Sequence, residues 1–173
     1  MTTLTKPRLS RESWIDAGLE ALMRTGPDAL KAEPLARQLN TTKGSFYWHF
    51  KDVPEFHNAL LAHWQSGAIT ALPDGNTVVQ LRALATSLAQ THTAEPAIRA
   101  WAKGHRLAAQ TLSQVDAQRL SQLDALLHDI GVANPEMSRI LYAAALGMRE
   151  VQNDDHATPE AIGTLVDLVL ALR

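Results

Sequence analysis

The stretch Leu35-Ala36-Arg37-Gln38-Leu39-Asn40-Thr41-Thr42-Lys43-Gly44-Ser45-Phe46-Tyr47-Trp48-His49-Phe50 decides the fold of this 173-residue chain. It reads as two short helices crossed at a turn. Ala36 is small where two helices must approach, Asn40 stands four residues on at the turn, and Phe46, ten residues after Ala36, faces back into a core. Asparagine tolerates the left-handed conformation such a turn requires, although glycine is the commoner solution. The Thr42 hydroxyl caps the second helix. The spacing predicts helices over 32–39, with Pro34 in the first turn where a missing N–H is harmless, and over 43–50. Neither is long enough to stand without partners.

Outward from this stretch, helical punctuation recurs and strand alternation does not, because Ala, Leu, Gln, Glu and Arg dominate and β-branched runs are scarce. The fold class expected is all-α, with about nine helices. The first starts at the N-cap Ser10, carries Ile15, Leu19, Leu22 and Met23 on its apolar stripe and stops at Gly26. The fourth opens with Asp52 and Glu55 in capping-box spacing and runs through Phe56, Leu60, Leu61 and Trp64 to Gly67. Leu72-Pro73-Asp74-Gly75-Asn76 is a turn-forming break. Beyond it the pattern predicts helices over 78–92, 96–103, 107–130, 135–151 and 159–172. Pro96, Pro135 and Pro159 are expected at first helical positions, and Gly131 just past a helix end. The expected organisation is a helix-turn-helix head over 1–52 and a helical body over 53–173.

A 46% hydrophobic content at this length supports one compact core or two small helical layers. With no cysteine there is no disulfide framework or thiolate metal site, and nothing in the composition asks for an oxidising compartment. No apolar run approaches the ~18 residues of a membrane span, and residues 1–11 lack the apolar core of a signal peptide, so the expected setting is cytoplasmic and nucleoid-associated, with no membrane partner. Charge is uneven: residues 1–51 carry 8 Lys/Arg against 5 Asp/Glu, and residues 52–173 carry 8 against 13. A basic head on an acidic body suits a front end that meets polyanionic phosphate.

The polar groups of the opening stretch supply the matching chemistry. Lys43, Ser45, Tyr47 and His49 carry donors able to reach phosphate or base edges in a major groove. Phe46, Phe50 and Phe56, at helical spacing, read as core. Tyr47 and Trp48 cannot both be buried beside Phe46 in so short a helix, so at least one is exposed. Arg11, Arg37 and His49 read either as solvated charges or as phosphate contacts. His57, His63, His92, His105, His128 and His156 form no i, i+4 ligand pair, and His57 and His63 point to different faces, so no metal or other cofactor is expected. No nucleophile elbow, phosphate loop or dinucleotide fingerprint is present, which leaves an enzyme reading without a foothold.

From Ser10 to Trp64 the chain resembles the TetR (tetracycline-repressor-like) family, on two blocks: Arg11-Glu12-Ser13-Trp14-Ile15-Asp16-Ala17 and Gly44-Ser45-Phe46-Tyr47-Trp48-His49-Phe50-Lys51-Asp52. The second block is the more specific. The resemblance implies three DNA-binding helices, a connecting fourth helix, and a variable helical body that binds an effector and dimerises through its last two helices. It places Thr42, Lys43, Gly44 and Ser45 where base or backbone contacts are usual, Tyr47 and His49 where phosphate is gripped, and Trp48 near the groove. Arg11, Arg37 and Lys51, as neighbouring cations, complete the expected DNA-binding set. Family members often carry Lys or Arg just after the Asp52 position. Here Val53 and Pro54 stand there, which implies a weaker phosphate anchor.

In the body, Trp64, Trp101, His105, Gln110 and Met148 are large or amphipathic groups suited to an apolar effector pocket with a few polar handles, although plain core and surface accounts for them equally well. The last helix is apolar over more than one stripe (Ile162, Leu165, Val166, Leu168, Val169, Leu170, Leu172), and the preceding one sets Ala143, Ala144 and Gly147 among Ile140, Leu141 and Met148. That pattern predicts a homodimer through the last two helices. The expected function is a ligand-responsive transcriptional regulator, a repressor released from a palindromic double-stranded DNA operator by a small organic effector. The rival expectation is a helical ligand-binding or scaffold protein without sequence-specific DNA binding.

Overall fold

A computed structural model of the chain describes residues 9–69, 71–90, 93–151 and 157–171. Among these residues there are nine α-helices and no strand: α1 Arg11–Thr25, α2 Ala32–Gln38, α3 Lys43–Tyr47, α4 Val53–Ala68, α5 Thr77–Leu88, α6 Glu95–Ala102, α7 Arg106–Asp129, α8 Met137–Val151 and α9 Ala157–Ala171. A single 3-10 turn, Pro27–Ala29, separates α1 from α2. No helix among them is long and apolar enough to cross a membrane.

Local chemistry explains the boundaries. The Ser10 hydroxyl accepts from the Ser13 amide and starts α1, and Gly26, at φ +92°, stops it with its N–H on the Leu22 carbonyl. At α4 the Asp52 carboxylate accepts from the Glu55 amide at 2.8 Å, while Glu55 reaches back to the Lys51 amide at 2.8 Å, one residue before the reciprocal partner of a standard capping box. Several details differ from expectation: α5 stops at Leu88 instead of running to 92, with the Ala89 amide on the Thr86 and Ser87 carbonyls closing its last turn, and Pro159 is the third residue of α9 instead of the first, a position where a missing N–H is still harmless. The third helix ends at Tyr47, and Trp48 and His49 form a turn over which the Phe46 carbonyl takes both the His49 and Phe50 amides. Pro135 lies outside α8, because the Asn134 side chain accepts from the Glu136 amide and holds a turn ahead of the helix. Met23, expected on the buried stripe of α1, is 51% exposed, since the ~100° step per residue carries it off the face that buries Leu22. His92 and Leu172 lie outside the described residues.

The chain forms two compact units, Met1–Gly67 with Ala94–Leu112 and Ala68–Thr93 with Ser113–Arg173. Packing thus groups α4, α6 and the first turns of α7 with the three helices before residue 52, where the sequence reading divides head from body between 52 and 53. The core of the first unit is aromatic: Trp14, Phe46, Phe50 and Phe56 are all essentially inaccessible. Ring centroids lie 5.4 Å apart for Trp14–Phe46, 5.2 Å for Phe46–Phe50 and 5.1 Å for Phe50–Phe56. Gly18 lets α1 come close to α4. A β-carbon there would stand 2.6 Å from Phe56 Cζ and 2.7 Å from Leu60 Cδ1.

The second unit packs aliphatic faces, with Leu81, Leu84 and Leu88 of α5 against Leu123 and Leu127 of α7, Leu141 of α8 and Ile162, Val166 and Val169 of α9. A buried cation, Arg119, interrupts it. The Arg119 guanidinium donates twice to the Ala68 carbonyl, at 2.9 and 3.2 Å, and to the Tyr142 hydroxyl at 3.2 Å, which in turn donates to Asp116 at 2.6 Å. Burial and the bond to Asp116 push the Tyr142 phenol up to about 12, so it stays a donor.

Gly18→Ala tests the close approach. Alanine is the better helix former by up to about 1 kcal/mol, but overpacking against Phe56 and Leu60 costs about 1–3 kcal/mol, so a net loss of roughly 1–2 kcal/mol is expected in urea unfolding. A more stable variant would show that the two helices are free to part.

Candidate nucleic-acid interface

Five residues of helix, Lys43–Tyr47, cannot hold themselves together in water. Phe46 anchors α3 by burying its ring against Trp14, Phe50 and Phe56, and the helical repeat then turns the intervening side chains outward. Lys43 and Gly44 are exposed, Ser45 is half-buried, Tyr47 is 46% exposed and Trp48 81%. Thr42 caps the helix, its hydroxyl accepting from the Ser45 amide at 3.4 Å. The turn before it passes through Asn40 at φ +50°, the sole non-glycine residue with positive φ among those described, in the left-handed conformation its side chain tolerates.

The remaining DNA-contact candidates differ in what already holds them. Arg11 pairs with Glu55 at 3.4 Å and lies over the Phe50 ring at 4.8 Å, so part of its donor capacity is engaged inside the first unit. Arg37 pairs with Glu33 at 3.2 Å, both side chains well exposed, a contact worth at most about 0.5 kcal/mol. His49 is half-buried with its ring 6.5 Å from Trp14, and Lys51 is exposed. Lys31, absent from the sequence-based set, belongs with them. It shares with Pro34, Arg37, Lys43, Tyr47 and Val53 a groove of about 400 Å³ beside α2 and α3. A lysine at the N-cap of α2, where Ser, Thr, Asp or Asn is favoured, was the available signal.

Gly44 separates a structural from a functional reading. Its backbone is ordinary helix, and a β-carbon there would meet only the Thr42 hydroxyl oxygen, at 3.7 Å. Among the described residues nothing requires glycine there. An exposed glycine at the start of a helix lets a foreign backbone, such as a phosphodiester, come close to the helix amides.

The pocket candidates do not converge as a set. Trp64 and Trp101 are buried, Gln110 is exposed, and these three lie with His105 in the first unit, whereas Met148 packs on the core of the second. Trp101 and His105 do meet, with ring centroids 4.5 Å apart. They bring in a third ring that the sequence reading set aside. His57 lies 5.1 Å from Trp101 and 5.4 Å from His105, and its Nε2 donates to the Leu30 carbonyl at 3.0 Å. Burial pushes its basicity down, the nearby His105 adds to the fall, and the carbonyl opposes it. Among the described residues no three His, Asp or Glu side chains gather as metal ligands; His92 and His156 lie outside them.

Residues 15–52 match the family model of bacterial regulatory proteins of the tetR family. Over 53 residues the chain is 45% identical to tetracycline repressor protein class D of Escherichia coli, a stretch that is 31% of this chain and 24% of the repressor. It is 33% identical over 63 residues to the uncharacterized HTH-type transcriptional regulator TtgW of Pseudomonas putida, covering 36% of this chain and 47% of that one. Residues 15–52 thus form a helix-turn-helix segment of the tetR type. The matched stretch spans about a quarter of the length of the tetracycline repressor it aligns with, so sequence kinship rests on the helix-turn-helix end. Beyond it the likeness is one of fold: a transcriptional regulator from Rhodococcus sp. Rha1 superposes with a TM-score of 0.76 at 17% identity over 95% of each chain. A second Rhodococcus structure superposes at 0.77 with 16% identity, over 92% of this chain and 98% of its own.

The depressed basicity of His57 has a sign. A group that binds its proton less readily when folded contributes stability that is fully present above the free imidazole value and is lost as pH falls below it. Thermal melts should therefore drop between about pH 7.5 and about pH 5.5, and drop less in His57→Gln, which keeps a donor for Leu30. Equal drops in both would remove His57 as the cause.

Proposed function

We propose that this chain is a ligand-responsive transcriptional regulator of the tetR type that binds a palindromic operator as a homodimer. Gly44 carries the reading: an exposed helical glycine without internal justification, next to Lys43, Tyr47 and Trp48 on a face the core does not use. The proposed contacts are Thr42, Lys43, Gly44 and Ser45 to bases or backbone at the mouth of a major groove, Tyr47 and His49 to phosphate, Trp48 at the groove edge, and Arg11, Arg37 and Lys51 to the flanking backbone. Lys31 joins this set through the groove it shares with Arg37 and Lys43, which offsets the lost cation at Val53. The sign of regulation, repression relieved by a small organic effector, is carried over from the tetracycline repressors matched at the head. The action is placed in the cytoplasm, at the nucleoid. Head and body are proposed to divide at residues 52/53, with Trp64, Trp101, His105, Gln110 and Met148 as effector contacts.

The dimer rests on uncovered apolar surface. Within the second unit, α9 turns Ile162, Val166 and Val169 inward and leaves Leu168 57% exposed, while α8 leaves Ile140 50% exposed beside Ala143 and Gly147, both exposed. Among the described residues nothing occupies the space beside Gly147 or Gly163. Small residues flanking exposed Ile and Leu suit close helix packing in a two-fold four-helix interface. Two recognition helices would then read half-sites one DNA turn or more apart, ~34 Å or a multiple of it.

Selection of bound fragments from genomic DNA, followed by titration of the recovered duplex, tests the reading. Lys43→Ala and Tyr47→Phe should weaken binding with helix content and mass unchanged, and Lys43→Ala should reduce the log-log salt slope by ~0.9 if it neutralises a phosphate. Gly44→Ala should hold or raise fold stability, by up to about 1 kcal/mol, and still weaken binding. Unchanged affinity in all three would refute the assignment. Separately, Leu168→Glu is expected to convert a dimer to a monomer in sedimentation; a wild-type monomer at micromolar concentration would sink the interface.

A further inference from the structure

Within the first unit, a cleft of about 340 Å³ lies between the opening turns of α4 and the corner where α6 gives way to α7. That volume is at the lower end of sites that hold small molecules, about 300–1,000 Å³, and fits a molecule of one ring. Pro54, His57 and Asn58 form one wall, and His105, Arg106 and Leu107 the other. No carboxylate lines it. Asn58 and Arg106 are exposed, and among the described residues neither side chain has a hydrogen-bond or ion-pair partner. A solvated arginine at a helix start is ordinary by itself. Here it shares a concave site with the Asn58 amide and with two imidazoles 5.4 Å apart, of which His57 spends its N–H on the Leu30 carbonyl while His105, its Nδ1 taking the Ala108 amide, keeps an N–H to offer, so three donors converge where no carboxylate lines the site.

We propose that this cleft binds a planar organic anion, an aromatic carboxylate. The carboxylate would take charge-assisted bonds from Arg106 and Asn58. The ring would lie on the imidazole pair, which Trp101 backs at 4.5 Å from His105 and 5.1 Å from His57, with the carbons of Pro54 and Leu107 at its sides. An inorganic phosphate would satisfy the cation but leave the ring faces bare. A neutral arene would cover the rings but leave Arg106 unmatched. His57 also holds the carbonyl of Leu30, just ahead of the N-cap of α2, so an occupant pressing on that ring disturbs the seat of the helix-turn-helix. The binding site stands independently, whereas this regulatory consequence rests on the regulator reading above.

Calorimetric titration of the full chain with benzoate and phenylacetate, followed by imidazole proton NMR, tests the site, with benzamide and inorganic phosphate as comparison ligands. Both carboxylates should bind and shift the His57 and His105 resonances, the comparison ligands should bind about tenfold more weakly, and Arg106→Gln should lose about tenfold in carboxylate affinity, with Asn58→Ala losing less. Circular dichroism should stay unchanged in both variants, which alter exposed side chains. The proposal is overturned by absent carboxylate binding at millimolar concentration, by unmoved imidazole signals, by unchanged affinity in Arg106→Gln, or by phosphate binding as tightly as benzoate. Carboxylate binding by a protein that ignores duplex DNA upholds the cleft and removes the regulator; operator binding without carboxylate binding does the reverse.

Discussion

The burial of Phe46 is the interaction on which the rest depends. A five-residue helix gains too few hydrogen bonds to offset its nucleation, and α3 persists because one ring enters an aromatic cluster built by α1, the turn after α3, and α4. Burying such a side chain is worth about 1.5–3 kcal/mol, and each edge-to-face pairing adds about 0.5–1.5 kcal/mol. Removing that ring would leave Lys43, Tyr47 and Trp48 on an unstructured loop. The same anchor sets their direction, because a helix with one buried position every turn has no choice about which residues face out.

Gly18 and Gly44 are the same residue type inside helices, and the structure requires one and not the other. At Gly18 the rings and methyls of α4 fill the volume a side chain would need. At Gly44 that volume is open, so the lost helix propensity has no internal compensation. A residue that weakens its own helix while serving nothing inside the protein is best explained by a ligand outside it. This contrast separates packing from recognition more sharply than the charge asymmetry, which is modest and common.

Much of the first unit was legible in the residues. Ser10, Gly26, Asn40, Thr42 and Asp52 act locally, through a hydroxyl, a carboxylate or a permitted φ, and each sits where its chemistry requires. Other features depend on neighbours remote in sequence. Met23 looks like a stripe residue until the ~100° step is counted from the real contact face. His57 acquires meaning only when Trp101 and His105 arrive beside it. Pro135 reads as a helix start, but the Asn134 side chain delays the helix. The proposed pocket set mixes residues of the two units, because amphipathic side chains in a helical body carry no mark of what they will face.

Local rules therefore determined most of the helices, their caps and the turn at Asn40, since propensity, capping and periodicity act over one or two turns. Tertiary structure decided which faces remain uncovered: the outward row of α3, the bare Ile140 and Leu168, and the cleft between His57 and Arg106. Exposure is a property of what packs against a residue, and for these residues the packing partners lie across the fold, beyond the reach of any local pattern.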